Sequence, residues 1–100
     1  LFRSASKSAI EGLAKSLAAE FAMSKIRVNV IAPSLTNTNL AQGLLNTPEK
    51  MEAAAKRHPL QRIGTPEEIA NLVAFLVSEN SSWMTGQIIG HDGGMGSLKI

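Results

Sequence analysis

Apolar positions recur with a helical period near the start of the chain. Ile10, Leu13, Leu17 and Phe21 fall on one stripe at i, i+3, i+7 and i+11, which predicts an amphipathic helix over Ser4–Phe21. Ser4, Ser8, Gly12 and Ser16 form a second stripe of small residues. That stripe is either a solvated face or a surface for close approach. A mid-helix glycine costs about 1 kcal/mol relative to alanine, which favours a packing reason for Gly12. The period then changes. Ile26, Val28 and Val30 share one face and Ile31 the other, so Ile26–Ala32 is expected to be a short, largely buried strand. Pro33 ends it, because proline cannot continue a central ladder.

The stretch from Ser34 to Gly64 has no single period. Thr36, Asn37, Thr38 and Asn39 gather short polar side chains directly behind the strand. Thr47 followed by Pro48 reads as a helix start, with the helix running to about Arg57 and stopping before Pro59. Leu40, Leu44, Leu45 and Met51 would line an apolar lid, or else pack a short helix onto the body. The sharpest local signal is Thr65-Pro66-Glu67-Glu68, a capping box with proline at the first helical position. Ile69, Leu72, Val73 and Leu76 carry that helix's apolar face to about Val77. Ser81–Gly86 reads as a turn, with Trp83 and Met84 as packing residues. Gln87–His91 reads as a second short strand, closed by Asp92-Gly93-Gly94. Helix, strand, short helices, helix, strand is an alternating α/β order and implies a parallel sheet.

Composition narrows the chemistry. The chain has 100 residues, 44% of them hydrophobic and 18% charged, which excludes a disordered or collagen-like chain. The net charge of +2 is too small and too evenly spread to indicate a nucleic-acid or membrane partner. With no cysteine and only His58 and His91, thiolate sites and multi-histidine metal cages are excluded. The longest apolar run, Leu72–Val77, is far short of the ~20 residues of a membrane span. Leu1 opens inside a helical pattern, so the chain is expected to be the later part of a longer cytoplasmic protein. Ligands of open α/β sheets bind beyond the carboxyl ends of strands. Pro33-Ser34-Leu35-Thr36-Asn37-Thr38 sits beyond such an end, and is either a binding loop or an ordinary polar loop. His58 and His91 are read as structural or surface residues. Asn29, inside a strand, is expected to bond neighbouring backbone.

Four segments in this order resemble the C-terminal part of the short-chain dehydrogenase/reductase family. They are Ser4-Ala5-Ser6-Lys7-Ser8-Ala9, Ile26-Arg27-Val28-Asn29-Val30-Ile31-Ala32-Pro33, the stretch from His58 through Thr65-Pro66-Glu67-Glu68 to Ala70, and Thr85-Gly86-Gln87-Ile88-Ile89-Gly90-His91-Asp92-Gly93-Gly94. The resemblance implies residues 1–100 of a Rossmann-like, doubly wound parallel sheet, without its N-terminal dinucleotide-binding half. In that case the two strands here would be separated or weakly covered. The resemblance also implies an NAD or NADP cofactor, a carbonyl or alcohol substrate, and a homo-dimer or homo-tetramer. Lys7 matches the catalytic lysine that bonds the cofactor ribose. Pro33 and Thr38 match the loop that contacts the nicotinamide amide and pyrophosphate. Thr36 falls where the family offers a backbone contact to the carboxamide. Ser34 stands where the family usually has glycine.

The family's proton donor is a tyrosine four residues before the lysine, and Arg3 occupies that position. A guanidinium stays protonated and accepts no proton, so Arg3 cannot replace the phenol. Three explanations stay open. The acid is displaced to a water relay or to a residue of the N-terminal half; the protein binds cofactor without catalysis; or residues 1–3 do not share the family register. The alternative to an oxidoreductase is accordingly a non-catalytic cofactor-binding or self-associating interaction module.

Overall fold

The computed structural model describes residues 2–38 and 41–99. Helix α1 spans Phe2–Phe21. The chain then makes a 3-10 turn at Ala22–Ser24 and reverses at Lys25, whose φ of 60° is left-handed. The Lys25 N–H bonds the Ala22 carbonyl at 3.0 Å and the Ile26 N–H bonds that of Phe21 at 3.2 Å. These bonds satisfy carbonyls that the helix end leaves without partners. Strand β1 is Val30–Pro33, and the short helix α2 is Gln42–Leu45. Helix α3 is Pro48–Lys56 and helix α4 is Pro66–Val77. A 3-10 turn at Glu79–Ser81 leads to strand β2, Ile88–His91.

Both expected N-caps form. Thr47 Oγ1 accepts the Lys50 N–H at 3.1 Å, with Pro48 behind it. Thr65 Oγ1 accepts the Glu68 N–H at 3.2 Å, and Glu68 Oε1 accepts the Thr65 N–H at 3.0 Å, a complete reciprocal capping box.

β1 and β2 are neighbours in a two-stranded sheet, so of the two alternatives, separated or weakly covered, they are not separated. The Val30 N–H bonds the Gln87 carbonyl at 2.8 Å and the Ser34 N–H bonds that of His91 at 3.3 Å. Residue numbers rise together along the two strands, so they run parallel. Both strands remain only partly covered.

β1 is also shorter at its start than the alternation predicts, and it includes Pro33 as its last residue. Side chains explain the late start. The Val28 N–H donates to Thr85 Oγ1 at 3.1 Å rather than to a strand carbonyl. Asn29 donates from Nδ2 to the Met84 carbonyl at 3.2 Å and accepts the Gln87 N–H at 3.1 Å. Asn29 therefore bonds neighbouring backbone as expected, and the ladder becomes regular only at Val30.

The described chain divides into two units, Leu1–Ile31 with Phe75–Ile89 and Ala32–Ala74 with Gly90–Ile100. In the first, Ala18 is the buried residue of α1, and Gly86 turns at its side with φ +70°. Glu11, Ala14 and Leu17 are half-buried. Ile10 and Leu13 of the expected stripe are 60% and 61% exposed. The covered side of α1 thus shares only Leu17 with the apolar stripe. Nothing approaches Gly12 within 4 Å, so the small stripe has no close neighbour there among the described residues. Trp83, read as a packing residue, is 99% exposed, with no described residue over its ring.

In the second unit Ala41, Leu45 and Ala54 form the buried core, with Leu35, Met51 and Ile63 packed on it. Leu45 and Met51 therefore take the packing alternative, whereas Leu44 points outward. Asn39 and Leu40 lie outside the described residues.

Candidate functional site

The loop after β1 is built by its own short side chains. Thr36 is buried, and its Oγ1–H donates to the Ser34 carbonyl at 3.1 Å. Thr36 pairs with Gly64 in an isolated parallel bridge. The flanking bonds run from Gly64 N–H to the Leu35 carbonyl at 3.4 Å and from Asn37 N–H to the Gly64 carbonyl at 3.0 Å. Thr38 Oγ1 accepts the Ala41 N–H at 3.3 Å, so its own hydroxyl hydrogen can turn toward a ligand. Pro33 is exposed, so the loop leaves the sheet at a rigid corner. No positive φ is required of Ser34, because the non-glycine residues with positive φ among those described are Lys25 and Gln61. Serine in place of glycine therefore carries no backbone strain.

The Ser34 hydroxyl meets a histidine. Its Oγ lies 2.8 Å from His58 Nε2, and His58 Nδ1 lies 2.8 Å from the Ala54 carbonyl. A carbonyl only accepts, so Nδ1 is assigned the proton. Nε2 of the neutral ring then accepts from Ser34. His58 is 2% exposed, and its ring packs beside Gly93, where φ is +61°. A β-carbon on Gly93 would lie 3.4 Å from the His58 Cβ. Behind Gly93, Asp92 accepts the N–H of Gly94 on one carboxylate oxygen and that of Gly96 on the other, each at 3.0 Å. The glycine turn after β2 is thus held open for the imidazole.

Ser34, His58, Leu60, His91 and Leu98 are among the residues around an open cavity of about 490 Å3. Of the residues expected to touch cofactor, Ser34 alone lines it; Pro33, Thr36 and Thr38 lie along the loop beside it. Arg62 and Glu68 close the polar side. Arg62 Nη1 meets Glu68 Oε1 at 2.8 Å and Nη2 meets Oε2 at 2.6 Å. Glu68 is held at about 2, well below the usual carboxyl 4.5, by the Arg62 hydrogen bonds first and then by the Thr65 N–H. The same hydrogen bonding raises Arg62. Arg62 is therefore spent on its partner, and the cavity has no free guanidinium from that residue.

Lys7 sits on α1 in the first unit. Its ammonium is 3.9 Å from Glu11, one turn on, and the side chain is 67% exposed. It is free to reach a ligand, since such an exposed pair holds it by less than about 1 kcal/mol. Arg3 lies in α1, but its side chain is outside what the structure describes. The expected residues therefore fall into a loop set in one unit and Lys7 in the other. Sequence reasoning missed His58 as the partner of Ser34. The only local signal was a histidine directly before Pro59, where a helix must stop. No group of three or more His, Cys, Asp or Glu able to hold a metal occurs among the described residues. No described helix is long and apolar enough to cross a membrane.

Comparison with known proteins follows the same order of elements. The family described as enoyl-(acyl carrier protein) reductase matches residues 2–96. The 3-oxoacyl-[acyl-carrier-protein] reductase FabG of Thermotoga maritima is 47% identical over 92 residues, 91% of this chain and 36% of that protein. The dehydrogenase/reductase SDR family member 4 of Bos taurus is 43% identical over 89 residues, 89% of this chain and 32% of that protein. The solved structure of 4-hydroxyisoleucine dehydrogenase complexed with NADH superposes with a TM-score of 0.87 at 33% identity, over 95% of this chain and 39% of that one. The chain thus spans about a third of the length of the curated relatives it matches. The family model spans nearly the whole chain, residues 2–96, and the chain belongs to the short-chain dehydrogenase/reductase family.

Proposed function

We propose that this chain is the C-terminal part of an NAD(P)-dependent oxidoreductase acting on a carbonyl or alcohol substrate. The observation that carries the reading is the family match over residues 2–96. The loop beyond the carboxyl end of β1 supports it, since that is where open α/β sheets take their ligands. Taken one at a time, the expected residues offer groups that a nicotinamide dinucleotide can use. Thr38 keeps a hydroxyl hydrogen for an amide or phosphate oxygen. Pro33, Ser34 and Thr36 give the loop a fixed backbone. Lys7 offers a mobile ammonium for ribose hydroxyls. The cofactor would supply or receive the hydride. Arg3 cannot exchange the accompanying proton, so that proton moves through water or a group outside residues 1–100.

In this reading the protein works in the cytoplasm on a small molecule, with no nucleic-acid or membrane partner, and assembles as a homo-dimer or homo-tetramer. The test is calorimetric titration of the protein that carries this chain with NADH and with NADPH. Saturable binding of either supports the reading, and no binding of both overturns it. Light scattering that shows a strict monomer would overturn the assembly.

A further inference from the structure

His58 is 2% exposed, and its two ring nitrogens are engaged in opposite directions. Ala54, in α3, aims the ring through Nδ1, and Nε2 then meets the first residue of the loop past β1. Ser34 is held at three points: its N–H by the His91 carbonyl, its carbonyl by Thr36 Oγ1, and its hydroxyl by His58. The first two come from the strand pair and from the loop itself. Only the third connects the start of the loop, through His58 and the Ala54 carbonyl, to α3, while Leu35–Asn37 are held separately by the bridge to Gly64. The Ser34 hydroxyl also lies 3.7 Å from Met95 Sδ, a weaker acceptor.

We infer that His58 is a positioning residue: by accepting the Ser34 hydroxyl it fixes the loop Pro33–Thr38, and so sets dinucleotide affinity without touching the ligand. The ligand in this statement rests on the proposed function above; the tether rests on geometry alone.

The test is a double-mutant cycle in the protein that carries this chain, with Ser34→Ala and His58→Asn made singly and together. Asparagine keeps a donor near Ala54 but is too short to reach Ser34. The first readout is amide hydrogen exchange at Asn37 and Thr38, which needs no ligand. The second is the dissociation constant for NADH and NADPH. Each single variant is expected to speed loop exchange, and to weaken dinucleotide binding, by roughly fivefold, the equivalent of one hydrogen bond. The double variant is expected to go no further than either single one. Additive effects in the double variant would overturn the inference, because they would mean His58 acts by filling space. Unchanged loop exchange in Ser34→Ala would overturn it as well. If His58→Asn does not fold, Ser34→Ala alone decides. If the unsubstituted protein binds neither dinucleotide, the proposed function falls, and loop exchange still decides the tether.

Discussion

Arg27 and Ser81, 54 residues apart in sequence, are joined by an Nη1–H···Oγ bond of 3.1 Å. Ser81 is 1% exposed, and its own hydroxyl is within 2.9 Å of both the Phe75 and Leu76 carbonyls. Nη2 of Arg27 reaches the Leu76 carbonyl at 2.8 Å. One guanidinium thus stands at the carbonyl end of α4, where a positive charge meets the negative pole of the helix. Arg27→Met keeps the aliphatic stem and removes the donors. It is expected to cost about 1–3 kcal/mol in urea unfolding of the protein. A midpoint unchanged by the substitution would show that water replaces the guanidinium at no cost.

The Arg62–Glu68 pair predicts an acid limb. Glu68 has its folded value lowered to about 2 from 4.5, so its contribution is fully present above 4.5 and is lost as pH falls toward about 2. Unfolding curves taken across that window should fall less steeply for Glu68→Gln than for the unsubstituted protein. Salt should narrow the difference, because both groups are partly exposed. Parallel curves would count against the pair.

Leu44 and Leu45 are adjacent and opposite in environment, at 65% and 4% exposed. Leu45→Ala opens a hole beside Ala41 and Ala54 and should cost about 2–4 kcal/mol. Leu44→Ala should stay within about 0.5 kcal/mol in the same thermal melts. Equal losses would mean that Leu44 is covered in the working protein.

Lys7 separates binding from stability. Its ion pair with Glu11 is long and its own side chain is exposed, so Lys7→Met should change stability by less than about 0.5 kcal/mol. If it bonds the cofactor ribose, the same change should weaken NADH or NADPH binding roughly tenfold or more. Titration that gives one constant for both forms would remove Lys7 from the site.

Much of this fold could be read from short-range chemistry. Thr47-Pro48 and Thr65-Pro66-Glu67-Glu68 carry their helix starts within four residues, and Asn29 had to bond backbone wherever it lay. The loop from Pro33 to Thr38 followed from where a strand must end. Longer-range facts were not legible. Nothing near Ser34 announces a histidine 24 residues later as its partner. The late start of β1 depends on the Thr85 hydroxyl taking the Val28 N–H, which no alternation of apolar residues encodes. The stripe Ile10, Leu13, Leu17 and Phe21 gave the helix correctly. Of that stripe only Leu17 lies on the covered side, beside Glu11, Ala14 and Ala18, a rotation that the apolar period alone does not encode.

The pairing of β1 with β2 also bears on the order of events in folding. Val30 and Gln87 lie on either side of the whole stretch that holds α2, α3 and α4. Their rung therefore closes a long loop, and that entropy must be spent before the ladder returns anything. The capped helices need only neighbours in sequence and can form early. The rate at which the chain reaches its native state is then governed by the search that brings these two distant strands together, and helix caps have little leverage on it.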